Sequence, residues 1–361
     1  MAESAGQGGW VFINMARPVY IDRIGHVSAL GLCAAEAAKS LLADKAPLSK
    51  YELLGESWPW FALPILEKNW TDRTRRALAL LAVELATGAS PDSLGSLPLF
   101  VGSTAYGIGE IETLRITATV PSLSETIFDR EIRFAFGSKA VPWMFSTACT
   151  SGFSALEAAF TLIAHGEIEE ALVLGLEFGC KTTIAGFASL GLLARTEQAD
   201  GLILGEAAAG LHLTAQPGAG WRIAACRLCI DGYAPTLPTP DGRIIAANIA
   251  AALNEAKLAP HAIDLIKPHR SSLSSVDEAE NAALDLVFGS SRPAEISLKR
   301  QIGHTLGACG PAELTALLAL LDAPAGQARH GFVQRLLLNL VGFAGSTAAL
   351  IVERCPPGAS A

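Results

Sequence analysis

The stretch from residue 141 to residue 163 reads VPWMFSTACTSGFSALEAAFTLI, in which an apolar run leads into a cysteine. A helix is predicted immediately after Cys149, because apolar residues recur at helical spacing from Phe153 to Ile163. The peptide dipoles and free backbone N–H groups at the start of a helix stabilise a thiolate. The stretch therefore predicts a nucleophilic thiol where a strand meets a helix. The alternative is a cysteine buried as a small apolar side chain.

Short apolar runs alternate with amphipathic segments on both sides of this stretch, which is typical of a layered α/β protein. The predicted strands are 99–102, 141–146, 171–176, 201–204, 263–266, 295–298, 336–341 and 348–352. The predicted helices are 75–86, 150–164, 245–257, 276–288 and 311–321. The Pro- and Gly-rich segment TAQPGAGW, 214–221, predicts a boundary between two apolar blocks. We therefore expect an N-terminal half, 1–215, and a C-terminal half, 216–361.

The composition excludes several classes of protein. Hydrophobic residues make up 50% of the 361 residues, charged residues make up 17%, and the net charge is −8. This composition indicates a densely buried protein rather than a disordered one, without the basic surface that attracts nucleic acid. No apolar run approaches the roughly 18 residues that cross a bilayer, and the first residues lack a basic signal segment. We expect a cytoplasmic protein with no membrane span and no nucleic-acid partner.

Seven cysteines are dispersed along the chain, an odd number that does not resemble a disulfide framework. Most of them are therefore predicted to be reduced thiols. Cys226 and Cys229 form a CxxC pair, but no second pair or histidine at ligand spacing accompanies it. The pair is interpreted as two side chains near one strand, and no metal site is predicted.

Two histidines follow predicted strands in the second half. His269 comes after IDLIKP, and His304 comes after EISLKRQ. Catalytic side chains tend to emerge where the strands of open α/β sheets end. Either histidine alone is more often structural than catalytic, and the other five are interpreted as surface or packing residues.

A series of motifs resembles, in order, those of the β-ketoacyl synthases, the condensing enzymes of the thiolase superfamily that use a Cys-His-His site. They are VYIDRIGHVSALG (19–31), STACTSG (146–152), GFASLGLLA (186–194), DGLILGEAAAGL (200–211), DGYAPTLPTPDG (231–242), KPHRSSLSSVDEAE (267–280), IGHTLGACG (302–310) and GFAGSTAALIV (342–352). The resemblance implies a thiolase-like five-layer αβαβα fold made of two similar halves. It also implies an acyltransferase that condenses malonyl-carrier protein with an acyl group in fatty acid, polyketide or polyene synthesis.

The resemblance implies a role for each matching residue. Cys149 would carry the acyl group, and the backbone N–H groups of Cys149 and Phe343 would form an oxyanion hole. Phe343 would also act as a gate beside the thiol. His269 and His304 would donate hydrogen bonds to the malonyl thioester oxygen as carbon dioxide leaves. Lys299 and Glu280 would form a pair that orients His269.

The resemblance also implies the partners. Acyl carrier protein would present the substrates, and the chain would form a homodimer or a heterodimer with a related ketosynthase subunit through strands beside the nucleophile. No cofactor is implied.

Two positions depart from the family's pattern. Arg270 follows His269 where the family has glycine, so it would either obstruct a backbone turn with positive φ or place a cation near the malonyl carboxylate. Ala344 stands where the family's GFGG loop has glycine, which should reduce the loop's mobility.

Two other functions stay open on the sequence. One is a non-condensing partner of the chain-length-factor type, although such partners typically lack the nucleophile. The other is a thiolase or acyltransferase that uses coenzyme A, since thiolases need a second reactive cysteine. Cys309 is the only candidate close to the His304 motif, and its ACG context is interpreted as that of a small packing residue.

Overall fold

A computed structural model describes residues 17–45, 47–88, 94–113, 126–218 and 220–355. Its strands are β1 (Val19–Ser28), β2 (Ser49–Leu53), β3 (Glu56–Phe61), β4 (Leu99–Gly102), β5 (Trp143–Phe145), β6 (Glu170–Glu177), β7 (Leu204–Gly205), β8 (Ala207–Thr214), β9 (Trp221–Ile230), β10 (Leu265–Lys267), β11 (Ala294–Glu295), β12 (Arg335–Val341) and β13 (Ser346–Arg354). Its α-helices are α1 (Ala34–Leu42), α2 (Trp70–Leu85), α3 (Ile108–Thr113), α4 (Ile127–Phe136), α5 (Ser151–Ala164), α6 (Lys181–Ser189), α7 (Arg243–Glu255), α8 (Ser274–Phe288), α9 (Lys299–Ile302), α10 (Cys309–Asp322) and α11 (Pro324–His330).

Ten strands form one sheet in the order β11-β10-β12-β13-β9-β1-β8-β6-β4-β5. From β1 outward, the neighbours β8 and β6 pair antiparallel, and β4 and β5 then continue parallel. From β9 outward, β13 and β12 pair antiparallel, and β10 and β11 then continue parallel. The two halves thus share one strand order and one pattern of directions, and β1 pairs with β9 to join them. This confirms the expected fold of two similar halves, while the boundary near residue 215 stays a prediction.

Five layers pack together around three apolar cores, of which the central one includes both central helices. The outer helices α2 and α4 pack on the first half of the sheet through residues such as Leu78 and Phe128. The outer helices α7 and α8 pack on the second half through residues such as Ile249 and Leu284. Between them, α5 and α10 belong to the largest core, and each fully buried Leu or Phe there contributes about 1.5 to 3 kcal/mol. The arrangement is the αβαβα layering predicted from the resemblance.

The two central helices approach each other closely at their starts. Pro311 of α10 lies against Gly152 of α5, where an added Cβ would be 2.3 Å from the proline Cδ. The same proline packs on Gly175 of β6, where an added Cβ would be 2.8 Å from its Cγ. Since neither glycine has a side chain, the start of α10 can lie directly against the start of α5 and against β6. The residues just before the two helices therefore meet at one place.

Several elements differ from the prediction. The expected strand 201–204 is reduced to the two residues of β7 in a small separate sheet, β2-β3-β7. Helix α4 was not predicted, although Thr126 and Asp129 form a capping box at its start. Cys226 and Cys229 both lie on β9, as their interpretation requires.

In the described part of the chain, no single helix is long and apolar enough to cross a membrane. A pair of helices bent by 93°, Leu306–Asp322 and Pro324–His330, passes the same test together by length and composition. Most of its first helix is buried in the central core.

Candidate active site

Cys149, His269 and His304 line one small cavity between the two halves, together with Phe343. All three side chains are buried. A larger cleft of about 650 Å³ shares His304 with this cavity and extends past Lys299 to exposed residues of the surface. The three residues singled out in the sequence are thus brought together from three separate segments, beside an opening to solvent.

A tight turn between β5 and α5 presents the Cys149 thiol. Ala148 has φ +52, a left-handed conformation that costs an L-residue roughly 1 to 3 kcal/mol. The Ser151 hydroxyl donates to the Ala148 carbonyl at 2.5 Å and accepts from the Thr147 N–H at 2.9 Å. The thiol therefore sits two residues before α5, held by a turn that its neighbours fix.

Glu280 fixes the backbone at His269. Its carboxylate accepts the His269 N–H at 2.6 Å and the Arg270 N–H at 3.1 Å. Asn339 of β12 donates to the same carboxylate at 2.5 Å. Burial and the nearby Lys299 ammonium hold the pKa of His269 well below its ordinary value of 6.5. His269 is therefore neutral at pH 7.

The ring of His304 lies 5.3 Å from that of His269, centroid to centroid, in an edge-to-face arrangement. The backbone N–H of Leu306 donates to Nδ1 of His304 at 3.0 Å. Nδ1 is then an acceptor, so the proton of the neutral ring is on Nε2. Cys149 also lies beside the His304 ring, at the same cavity. Burial lowers the pKa of His304, whereas an ionised thiol beside the ring would raise it, to about 9.

The expected pair between Lys299 and Glu280 does not form. Both Glu280 oxygens are occupied by the groups just described, and the Lys299 ammonium instead binds Glu313 of α10. The ammonium of Lys267, on β10, binds the other oxygen of Glu313. Burial and the nearby Lys299 hold the pKa of Lys267 well below 10.5.

Lys267 and Glu313 were therefore missed in the sequence, although each is a charged residue inside an otherwise apolar run. That is the signal that would have identified them, because a buried charge needs a partner.

The loop at Phe343 covers the thiol. A Cβ added to Gly342 would lie 3.3 Å from the Cys149 backbone nitrogen, so the loop and the turn at the nucleophile are in contact. The Phe343 ring stacks on Phe187 of α6, with centroids 5.7 Å apart. The Ala344 N–H donates to the Pro235 carbonyl at 2.6 Å. Ala344 keeps a left-handed φ of +59 despite its side chain.

Arg270 has a left-handed φ of +44, so its side chain does not prevent the turn with positive φ. Its guanidinium donates to Glu295 and to Asn281, each at 2.7 Å. Arg270 lines neither the cavity nor the cleft. The expectation that it places a cation beside a substrate carboxylate is therefore wrong for this arrangement.

One residue near the thiol was undervalued. Cys309, interpreted as a packing residue, has its Sγ 3.2 Å from Nδ1 of His304. The site thus holds two thiols, two imidazoles and a buried pair of ammonium groups that share one carboxylate. Such a set can carry an acyl group on sulfur and donate hydrogen bonds to an oxygen that becomes negative.

Two family models match the chain. "Beta-ketoacyl synthase, N-terminal domain" matches residues 88–217, and "Beta-ketoacyl synthase, C-terminal domain" matches residues 222–325. Together they include Cys149, His269, Lys299 and His304.

Curated relatives are similar over part of their length. A 3-oxoacyl-[acyl-carrier-protein] synthase 2 of Mycobacterium bovis is 28% identical over 249 residues, which cover 58% of this chain and 60% of the relative. A putative polyketide beta-ketoacyl synthase 1 of Streptomyces virginiae is 29% identical over 209 residues, or 52% of this chain and 50% of the relative. The chain thus matches about 60% or less of the length of these relatives.

Solved structures share the fold over nearly the whole chain. A type II polyketide synthase acyl-carrier protein in complex with its ketosynthase gives a TM-score of 0.81 at 20% identity, covering 94% of this chain and 100% of the matched chain. The ishigamide ketosynthase/chain length factor gives 0.79 at 22% identity, covering 94% and 100%. A ketosynthase in complex with its chain length factor from Xenorhabdus doucetiae gives 0.77 at 22% identity, covering 94% and 98%. The thiolase-like fold expected from the sequence is confirmed.

Proposed function

Because the chain belongs to the β-ketoacyl synthase family, we propose that it is an acyltransferase that condenses malonyl-carrier protein with an acyl group held on Cys149. The product is a β-ketoacyl-carrier protein. The observation that carries this proposal is the meeting of Cys149, His269 and His304 at one buried cavity beside an open cleft.

In the first step the Cys149 thiolate attacks the carbonyl carbon of an acyl thioester. A new C–S bond forms, the C–S bond to the carrier breaks, and the carrier sulfur leaves as a thiol with the proton that the Cys149 thiol gave up. The negative oxygen of the intermediate is stabilised by the backbone N–H groups of Cys149 and Phe343. The approach of Gly342 to the Cys149 backbone nitrogen supports this assignment. One difficult condensation is thereby divided into two easier steps.

In the second step the Nε2–H groups of His269 and His304 donate to the thioester oxygen of the malonyl unit. The bond to the carboxylate breaks, carbon dioxide leaves, and the electron pair stays on the α-carbon as an enolate. The enolate attacks the acyl-Cys149 carbonyl, a C–C bond forms, and the Cys149 thiolate is released. Neutral imidazoles suit this role because they donate without giving up a full proton.

Two charged residues support the histidines in this proposal. Lys299 favours the neutral form of His269, since its ammonium opposes a second positive charge nearby. Glu280 holds the backbone on both sides of the His269 Cα through two N–H groups. Both are positioning residues.

The carrier of the substrates is proposed to be an acyl carrier protein, whose arm would enter through the 650 Å³ cleft. A relative of the same fold was solved with an acyl-carrier protein bound to its ketosynthase, which supports this partner.

A dimer is proposed to form at the β5 edge of the sheet. Trp143 on this strand and Val141 just before it are exposed apolar side chains, 58% and 68% accessible. An unpaired, apolar strand edge favours pairing with a second strand. The partner is a second copy or a related ketosynthase subunit, since two similar structures are ketosynthase and chain-length-factor pairs. Light scattering that finds only monomer at micromolar concentration, with no partner on co-purification, contradicts this.

A second candidate is a non-condensing subunit of the chain-length-factor type. The similarity to structures of ketosynthase and chain-length-factor pairs favours it. The presence of Cys149, His269, Lys299 and His304 favours the condensing role instead.

The experiment that separates the two follows carbon dioxide release and β-ketoacyl product from malonyl- and acyl-carrier proteins, with and without a partner synthase. We expect Cys149→Ala to lose condensation but keep malonyl decarboxylation, because both histidines remain. We expect His304→Ala to keep acylation and lose decarboxylation by about 10²-fold or more. If the intact protein forms no acyl-Cys149 and Cys149→Ala leaves a partner synthase fully active, the chain-length-factor role replaces the condensing one.

A further inference from the structure

A second thiol contacts the active site from the opposite central helix. Helices α5 and α10 occupy equivalent places in the two halves: along the chain, α5 lies between the edge strand β5 and β6, and α10 lies between the edge strand β11 and β12. Cys149 lies two residues before α5, and Cys309 is the first residue of α10. Cys309 is fully buried, with its Sγ 3.2 Å from His304 Nδ1. The condensation steps described above leave this thiol without a role.

The hydrogen bonds around Cys309 indicate where its proton points. The Thr305 hydroxyl donates to the Cys309 Sγ at 3.5 Å, so the sulfur acts as an acceptor on that side. His304 Nδ1 already accepts the Leu306 N–H, and Leu306 is held in a left-handed conformation, φ +45, that aims this N–H at the ring. A ring nitrogen with an N–H pointing at it cannot also carry a proton. The S–H of Cys309 is therefore the second donor to the same lone pair.

We propose that Cys309 is a positioning residue whose S–H donates to Nδ1 of His304 and holds the ring neutral, with its proton on Nε2. The importance of this contact for catalysis rests on the proposed condensation, in which the Nε2–H of His304 donates to the malonyl thioester oxygen. Protonation of Nδ1 would require both the Leu306 N–H and the Cys309 S–H to give up their acceptor. The thiol thus opposes the imidazolium form.

The competing arrangement is an ion pair between a Cys309 thiolate and a His304 imidazolium. In that state the pKa of Cys309 would fall to about 5 and that of His304 would rise to about 9. It needs a proton on Nδ1, where the Leu306 N–H points. The other titratable groups facing this ring are Cys149, His269 after β10 and Lys299 of α9. Cys149 is replaced by alanine in every protein compared below, and the other two are unchanged.

The test compares Cys309→Ala, which removes the donor, with Cys309→Ser, which keeps one. Cys226→Ala is the matched control, because Cys226 is a buried thiol of β9 outside the site. The readout is the ¹⁵N spectrum of the histidine rings against pH, with His304 identified by its disappearance in His304→Gln. All proteins carry Cys149→Ala so that a single active-site thiol remains. Near-ultraviolet circular dichroism reports whether each variant folds.

We expect His304 to hold its proton on Nε2 at pH 7 and to take up a second proton about half a pH unit higher in Cys309→Ala. This is a roughly threefold change in the protonation constant. Cys309→Ser should restore the value, and Cys226→Ala should leave it unchanged.

Two results overturn the proposal. One is an unchanged His304 titration in Cys309→Ala with the fold intact. The other is thiolate absorbance near 240 nm at pH 7 that is lost in both Cys309→Ala and His304→Gln, which would mean an ion pair. Neither readout depends on condensation. If the expected shift is found while no acyl-Cys149 forms, the proposed function fails and the role of Cys309 in fixing the ring holds.

Discussion

Arg270 binds Glu295 with 2.7 Å between the guanidinium Nη2 and the carboxylate Oε2. Both side chains are partly buried, and neither lines the cavity at Cys149 or the cleft beside it. The ion pair ties the residue after His269 to the β11 edge of the sheet. The guanidinium is thereby engaged within the protein and is not offered to a substrate.

The first prediction concerns substrate binding. We predict that Arg270→Gly changes the KM for malonyl-carrier protein by less than about twofold, because the guanidinium faces Glu295. Loss of a charged hydrogen bond to a substrate carboxylate would cost about 1.5 to 3 kcal/mol, or 10- to 100-fold. Steady-state kinetics on the purified variant measures this, and an increase of tenfold or more contradicts the observed orientation.

The second prediction concerns the backbone at the same position. Arg270→Ala and Arg270→Gly both lose the ion pair, but only glycine adopts a φ of +44 without strain. We predict that the glycine variant is more stable than the alanine variant by about 1 kcal/mol. Urea unfolding of the two proteins provides the comparison. Equal midpoints and slopes would mean that the turn carries no strain.

The third prediction concerns the loop over the thiol. Gly345 has φ +72, and a Cβ there would lie 1.6 Å from the Asp231 carbonyl oxygen. Gly345→Ala must therefore displace the loop that holds the Phe343 N–H, and we predict that the acylation of Cys149 slows by about 10²-fold. Gly186→Ala on α6 is the control, since a Cβ there meets nothing within 4 Å. Intact-protein mass spectrometry of acyl-Cys149 measures the effect, and equal acylation of the two variants counts against the oxyanion role.

The fourth prediction concerns the buried charges. Glu313 binds both Lys267 and Lys299, so Glu313→Gln leaves two buried ammonium groups without a counter-charge. We predict a loss of about 3 to 5 kcal/mol in the free energy of unfolding. Lys267→Met leaves one ammonium with one carboxylate, so it should lower the free energy of unfolding much less. The double variant Lys267→Met/Glu313→Gln should be more stable than Glu313→Gln alone. Denaturant unfolding measures the stability of each variant. Equal losses in the free energy of unfolding for Glu313→Gln and Lys267→Met would contradict the prediction.

The fifth prediction concerns pH. Burial lowers the pKa of His26 to about 4, and its ring nitrogens contact the Thr315 and Ser28 hydroxyls at 2.9 and 2.7 Å. Between pH 6.5 and 4 the unfolded chain binds a proton at this residue that the folded chain does not. The free energy of unfolding therefore falls by about 3 kcal/mol as the pH decreases through this window.

His26→Gln should remove that part of the pH dependence while keeping a hydrogen-bonding side chain. His165→Gln, at an exposed position, is the control and should retain it. Thermal or urea unfolding at pH 7, 5.5 and 4 gives the slopes. An unchanged slope in His26→Gln would show that the folded protein protonates this ring.

Local patterns in the sequence were sufficient to predict a layered α/β protein and a cysteine at the start of a helix. Buried strands such as β4 and β12 appear as largely apolar runs, and Cys149 lies between the short strand β5 and helix α5. Hydrophobic periodicity indicates whether a single segment forms a helix or a strand, and these features depend on single segments.

The partners of the charged residues depend on contacts between distant segments, and there the prediction failed. Lys299 was expected to pair with Glu280, but two backbone N–H groups beside His269 occupy that carboxylate. The acceptor for Lys299 is Glu313, a charged residue in the otherwise apolar helix α10. The contact between Cys309 and His304 likewise depends on the turn at Leu306, which hydrophobic periodicity does not predict.

The central position of β1 has a consequence for synthesis of the chain. This strand is made first among the strands of the large sheet, yet its partners β8 and β9 begin about 180 and 190 residues later. At about 5 to 20 residues per second, the ribosome takes roughly 10 s or more to produce them. During that interval Val19, Ile21 and Val27, which are buried in the finished protein, have no sheet to join. Assembly of the large sheet around β1 must therefore wait for late segments, as expected for a topology of high contact order.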